Sequence, residues 1–150
     1  MYSIEEFDRE KTKVLKYVIY KKRTEREIKL KFKSTIEENL LEDIIEELKE
    51  NGYISDKAYV QRAINEYMAL KNLSIKELKY KLSAKGISSS DIEDYISNNY
   101  EELEEYEKKS AENIALKKSV NMDEDEIRTY LMKKGYREEN IREAMENLEE

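Results

Sequence analysis

The chain has 150 residues, of which 42% are charged and 39% hydrophobic, and its formal net charge is −7 at pH 7. The absence of histidine and cysteine excludes disulfides, zinc sites with nitrogen or sulfur ligands, serine or cysteine triads and imidazole acid–base catalysis. The three glycines stand far apart and form no glycine-rich loop for a nucleotide phosphate. We therefore expect a protein that is not an enzyme and that uses no cofactor and no metal.

The composition also indicates the fold class. Proline is absent, and the abundant glutamate, lysine, leucine and isoleucine lose little free energy on entering a helix. The high charge leaves little apolar surface for one deep spherical core, so we expect an all-α chain in an elongated, curved, solenoid-like array. Apolar runs are short, charges interrupt them, and no signal peptide is found, so a soluble, cytoplasmic protein without membrane contact is expected.

The first predicted unit contains three helices. Residues 1–8 lack a clear period and are expected to fray, so the first helix is placed at about residues 9–22. Thr24 and Glu27 have the spacing of a capping box, which predicts the start of the second helix. The third helix is expected to end at Gly52, because glycine tolerates the left-handed backbone that follows a helix.

The second unit follows the same order. Asp56 is placed as the N-cap of its first helix. Ser74 and Glu77 form the next capping box, and Gly86 ends the helix that this box begins. A short third helix completes the unit.

The last unit begins with an acidic helix at about residues 99–119. Asp123 and Glu126 form the third capping box, and Gly135 is expected to end the helix that follows. The acidic run from 123 to 126 lacks the glycine and the spacing of a calcium-binding loop, so it is interpreted as a helix cap.

The three capping boxes reveal an internal repeat. Leu78 lies 50 positions after Ile28, and Ile127 lies 49 positions after Leu78. A repeat of this length cannot bury its apolar face alone, so neighbouring repeats are expected to complete one another's core. We predict one domain over residues 1–150, made of three three-helix repeats at about 9–53, 54–98 and 99–150.

The spacing of a set of apolar, glycine and tyrosine residues resembles the core pattern of the RecX regulatory proteins, which are bacterial modulators of the RecA recombinase. The set consists of Leu48, Gly52, Tyr53, Ile54, Asp56, Tyr59, Leu78, Leu82, Lys85, Gly86 and Ile87. Upstream, Lys21, Arg23, Thr24, Glu27 and Ile28 are similar to the family's basic entry into its second helix. The resemblance covers about residue 13 to the C-terminus. It departs from the family at Ser74 and Ile75, where glycine and proline are usual, and in the acidic start of the third repeat.

The resemblance implies a regulatory protein without enzymatic activity. Such a protein would bind the RecA nucleoprotein filament along its helical groove, limit filament growth or promote disassembly, and thereby inhibit the recombinase in recombination and DNA repair. Single-stranded DNA would be met mainly through the filament. The polar terminal repeats are consistent with capping units, so a monomer is expected.

Charge is distributed unevenly along the chain. Residues 9–33 hold eleven basic and three acidic residues, a balance of 11 − 3 = +8, whereas residues 76–150 hold thirteen basic and twenty acidic residues, a balance of −7. The basic stretch could meet phosphates or an acidic face of the partner. The candidate contacts to the filament or to DNA are Lys21, Lys22, Arg23, Arg26, Lys29, Lys79, Lys81 and Lys85.

Two other function classes stay open at this point. The basic stretch could bind single-stranded nucleic acid directly, which predicts binding to bare DNA that falls steeply with salt. The chain could instead be a helical-repeat scaffold for a different protein partner. In a third interpretation, the basic stretch is only a solvated face balanced by the acidic repeat.

Overall fold

A computed structural model describes residues 2–149, which form nine α-helices and no strand. The helices are α1 (Ile4–Tyr20), α2 (Glu25–Phe32), α3 (Glu38–Glu50), α4 (Asp56–Leu70), α5 (Ile75–Ala84), α6 (Ser89–Asn98), α7 (Tyr100–Lys118), α8 (Glu124–Lys134) and α9 (Glu138–Leu148). The all-α prediction is confirmed.

All three predicted capping boxes are present, and each begins the helix that it was expected to begin. Thr24, Ser74 and Asp123 accept hydrogen bonds from the backbone N–H of the residue three positions later, at 3.2, 3.0 and 2.9 Å. In each box the glutamate at that later position accepts from the backbone N–H of the capping residue. These contacts satisfy N–H groups that the first turn of a helix leaves without partners.

Two local predictions were wrong. The first helix begins at Ile4, because Ser3 caps it and Phe7 packs against the first core, so residues 4–8, which were expected to fray, are helical. The N-cap of α4 is Ser55, whose hydroxyl accepts from the Ala58 N–H at 3.2 Å. Asp56 instead accepts from the backbone N–H of Glu25, at 3.1 Å, and so caps α2 from the neighbouring unit.

Three buried apolar clusters follow one another along the chain. The first contains residues of α1 to α3, with Val14, Ile28 and Ile44 fully buried. The second runs from Val60 in α4 to Leu103 at the start of α7. The third contains residues from α7, α8 and α9. The helix α7 therefore contributes to two neighbouring cores.

The same two hydrogen bonds join successive units at two junctions. At the first junction the Thr24 hydroxyl donates to the carbonyl of Lys85 at 2.8 Å, and at the second the Ser74 hydroxyl donates to the carbonyl of Lys134 at 2.6 Å. At each junction, a carboxylate from the next unit also accepts from the backbone N–H of the residue that follows this hydroxyl. At the first junction, Asp56 accepts from the Glu25 N–H. At the second junction, the fully buried Glu107 accepts from the Ile75 N–H at 3.0 Å. These recurring contacts are consistent with tandem repeats.

The surface area of the molecule indicates an elongated shape. Its accessible surface is 9909 Å² for a mass of 18.0 kDa. A compact monomer of this mass would expose roughly 8,000 Å². The excess agrees with small cores placed in a row. None of the helices in residues 2–149 is both long and apolar enough to cross a bilayer.

Candidate functional site

Several of the predicted contact residues meet in a groove at the first junction, which we call the first groove. Lys21 and Lys22, at the end of α1, line it together with Arg62 of α4 and Lys85 at the end of α5. All four side chains are exposed. Glu66 also lines this groove, so four cations face one carboxylate.

A larger groove lies at the second junction, between α5 and α8, and we call it the second groove. Its basic residues are Lys76, Lys81, Lys85, Lys133 and Lys134, and it encloses about 580 Å³. Lys85 and Tyr67 line both grooves, so the two grooves adjoin at these residues. Because the first groove draws on α1 and the second on α8, the cationic surface extends over all three predicted repeats.

The junction contacts explain why lysines gather at these grooves. Since the Ser74 hydroxyl bonds to the Lys134 carbonyl, the first turn of α5 lies against the last turn of α8. Lys76 projects from that first turn, and its aliphatic chain passes over Gly135. Lysines in the last turn of a helix are also favoured by its dipole, which accounts for Lys133 and Lys134 at the end of α8.

Several of the lysine ammonium groups on this surface lie over tyrosine rings. The Lys81 Nζ lies 5.7 Å from the centre of the Tyr67 ring, and Lys31 is placed in the same way over Tyr17, 50 positions earlier, at 5.7 Å. Lys134 lies 5.6 Å from the Tyr130 ring. Such cation–π contacts hold the ammonium groups near the surface without neutralising their charge.

The remaining candidate residues lie outside the two grooves. Arg23 packs over the Tyr17 ring at 4.3 Å, and its Nε is buried without a hydrogen-bond partner. Arg26 uses its aliphatic chain to cover Gly86. Lys29 pairs with Glu25 at 3.4 Å, within α2. Lys79 pairs with Glu93 of α6 at 3.0 Å. The structure therefore places Lys21, Lys22, Lys81 and Lys85 in the two grooves, whereas the other four candidates do not line them.

The acidic third repeat does not neutralise the basic stretch in the described part of the chain. Basic residues of the stretch pair locally, as Lys11 does with Glu47 at 3.1 Å and Lys13 with Glu10 at 3.2 Å. Within the third repeat, Glu104 of α7 pairs with Arg137, the residue before α9, and Lys108 of α7 pairs with Glu143 of α9 at 2.8 Å. In residues 2–149 no ion pair within 4.0 Å joins the stretch to the third repeat, although most of its basic side chains are exposed, as a solvated face requires.

Four cations of the grooves were not among the predicted contact residues, namely Arg62, Lys76, Lys133 and Lys134. The repeat contained a signal for two of them. Lys76 stands 50 positions after the candidate Arg26, and Lys134 stands 49 positions after the candidate Lys85. Arg62 and Lys133 have no such equivalent among the candidates.

The residues of the resemblance pattern are mainly structural. Leu78, Leu82 and Ile87 are buried in the second core. Gly52 and Gly86 follow the ends of α3 and α5 with positive φ.

The polar and aromatic members of the pattern occupy half-buried or exposed positions. Burial raises the pKa of the Asp56 carboxyl, and the hydrogen bond from the Glu25 N–H offsets part of this rise. Burial likewise raises the pKa of the Tyr59 hydroxyl, whose ring lies in the first groove. Tyr53 is 45% exposed.

The described residues contain no cluster of three or more acidic side chains arranged to hold a metal ion. The arrangement that remains is a long cationic groove with tyrosine walls. Chemically, such a surface can bind carboxylates or phosphates.

Comparisons with known proteins agree on one family. The chain is 30% identical over 139 residues to the regulatory protein RecX of Staphylococcus carnosus, covering 90% of this chain and 52% of that protein. It is 28% identical over 156 residues to the regulatory protein RecX of Lactococcus lactis, covering 98% of this chain and 57% of that protein. The chain thus spans about half the length of the curated relatives it matches. No family model matches it.

A comparison with solved structures supports the same fold. The crystal structure of RecX from Lactobacillus salivarius superposes with a TM-score of 0.80 and 24% identity, covering 95% of this chain and 96% of that one. At 24% identity, this likeness shows that the two chains share a fold and shows no more than that.

Proposed function

The chain belongs to the RecX family, and from this premise we propose that it is a regulatory protein that binds RecA nucleoprotein filaments. Binding limits filament growth or promotes disassembly, and so lowers recombinase activity. The protein acts as a monomer without catalytic chemistry of its own. It meets single-stranded DNA mainly through the filament.

The observation that carries this proposal is that the two grooves adjoin at Lys85 and Tyr67. A cationic surface that runs from α1 to α8 can contact more than one subunit of a polymer. Contacts to successive subunits reinforce one another, because the first contact raises the effective concentration for the next. A long surface of this kind suits a filament better than a small globular partner.

The overall charge supports binding through the filament and not to bare DNA. The net charge of −7 opposes the approach of a polyanion from a distance. A local groove with unpaired lysines can still contact a partner whose position is fixed by other contacts. We therefore expect weak binding to bare single-stranded DNA.

The proposal is tested by the steady-state ATPase rate of the cognate RecA on single-stranded DNA while this protein is titrated in. We expect the rate to fall progressively at ratios well below one molecule per RecA subunit. A binding assay with bare DNA is run in parallel, and we expect it to show weak binding.

An unchanged ATPase rate at saturation would contradict the proposal. Tight, salt-sensitive binding to bare DNA in the parallel assay would then favour a nucleic-acid-binding module. The absence of both effects would favour a scaffold for a different protein.

A further inference from the structure

We propose that the second groove binds an extended acidic polypeptide segment of the protein partner, with an apolar side chain seated among its tyrosines. This inference rests on the proposed function only in taking the partner to be a protein. It assigns a chemical class of ligand to one defined part of the cationic surface.

The charge of the second groove selects an anionic ligand. Five lysines line it, and Glu77 is the one carboxylate that lines it with them. Glu77 is already occupied, since it accepts from the Ser74 N–H at 3.0 Å as part of the capping box. Among the described residues, Lys76, Lys81, Lys133 and Lys134 have no carboxylate within 4.0 Å, while Lys85 pairs with Glu27 at 3.6 Å. Four ammonium groups are therefore free for carboxylates of a ligand.

The lining of the groove also provides an apolar contact. Ala84 and Tyr80 line it together with the lysines, and Tyr80 is 75% exposed although its ring is large and mostly apolar. The first groove has no comparable exposed ring among its lining residues, because Tyr59 and Tyr67 are half-buried there. An exposed aromatic ring with cations around it suits a side chain such as leucine or phenylalanine in an acidic segment.

The aromatic residues are poorly placed to stack nucleic-acid bases. Single-strand binding sites use successive aromatic faces, each open to a base. Here Lys81 lies over Tyr67, and both Lys118 and Lys134 lie over Tyr130, at 4.8 and 5.6 Å. Only Tyr80 in the second groove is left with an open ring, so the geometry favours a polypeptide over a single strand.

Fluorescence anisotropy with the full chain tests the inference directly. The probe is a labelled peptide of glutamates with one central phenylalanine, compared with the same peptide carrying glutamine for glutamate. An oligothymidylate of equal net charge represents nucleic acid. We expect the acidic peptide to bind most tightly, and its affinity to fall as salt is added.

A matched pair of variants localises the binding. The double variant Lys81→Glu, Lys133→Glu reverses two charges in the second groove, and we expect it to weaken peptide binding by at least about tenfold. The control Lys29→Glu, Lys79→Glu reverses two charges outside the groove and is expected to change affinity less than about threefold. Circular dichroism checks that both variants keep the helical content of the unaltered chain.

The inference would be overturned if oligothymidylate bound as tightly as the acidic peptide, if both double variants lost the same amount of peptide affinity, or if no peptide bound at low salt. Concentration-dependent self-association that is abolished by Lys81→Glu, Lys133→Glu would show that a second copy occupies the groove, and would also overturn it. The ATPase titration is independent of these measurements. RecA inhibition without peptide binding refutes only this inference, and peptide binding without inhibition refutes only the proposed function.

Discussion

Gly86 shows how the end of α5 and the packing at the first junction both depend on one position. Its φ is +92°, and a Cβ added there would lie 2.6 Å from the Cβ of Arg26. Gly52 has a similar φ of +81° but no atom within 4 Å of such a Cβ. The two glycines therefore separate the effect of backbone conformation from the effect of close packing.

We predict that Gly86→Ala destabilises the fold more than Gly52→Ala. Both substitutions place an alanine in the left-handed region, at roughly 1–2 kcal/mol each. Gly86→Ala adds overpacking against Arg26, which costs about 1–3 kcal/mol more. Urea unfolding of the two variants measures the difference in their free energies of unfolding. Equal losses would mean that the Arg26 side chain moves aside and that the junction at Gly86 is loose.

Residues differ in how well the sequence predicted their roles, and the reason is the range of their contacts. Thr24, Ser74 and Asp123 were recognised because each partner lies three positions away. The roles of Asp56 and Glu107 depend on backbone groups 31 and 32 positions away, which no local pattern shows. The repeat relates the two, since Glu107 stands 51 positions after Asp56, but this relation is visible only when the junctions are known.

The stability of α5 depends both on its own N-cap and on a hydrogen bond to the next unit. The Ser74 hydroxyl accepts from the Glu77 N–H and donates to the Lys134 carbonyl. Asp123 caps α8 in the same way but is exposed, and no bond from its side chain to another unit is found in residues 2–149. Comparing the two caps therefore isolates the bond between units.

We predict that Ser74→Ala costs more than Asp123→Ala. Loss of an N-cap costs about 1 kcal/mol in both variants. Ser74→Ala also removes the hydrogen bond from the fully buried Ser74 side chain to the Lys134 carbonyl, which adds roughly 1 kcal/mol or more. Thermal or urea unfolding measures the free energy of unfolding of the two variants. If Asp123→Ala were the more damaging variant, the bond between units would contribute little to stability.

Helix boundaries were predicted well where a capping box within the local sequence sets them. They were predicted poorly where contacts with distant residues set them. The starts of α2, α5 and α8 follow directly from their capping boxes. The start of α1 was missed because Phe7 gains its burial from packing against the first core. The boundary between α6 and α7 is a single residue, Asn99, and the repeat boundaries at 53 and 98 remain predictions.

For the whole molecule, the sequence predicted the charge of its parts but not their arrangement. Counting charges along the chain separates a basic beginning from an acidic end. The structure adds Lys133 and Lys134, from the acidic third repeat, to the same groove as Lys81 and Lys85. This grouping could not be predicted from sequence alone, because it depends on how α5 packs against α8 at the second junction.

The central claim is that the two adjoining grooves carry the action on the recombinase filament. The most direct test compares two double variants in the RecA ATPase assay. Lys22→Glu, Lys85→Glu reverses one charge in the first groove and the charge that both grooves share. Lys29→Glu, Lys79→Glu reverses two charges that lie outside the grooves and are paired locally.

We predict that the groove variant needs at least about tenfold more protein to reach half-inhibition, since each reversal replaces an attraction with a repulsion. The control variant should inhibit within about twofold of the unaltered chain. The account would be contradicted if the groove variant inhibited as well as the unaltered chain, or if the control variant lost as much activity as the groove variant.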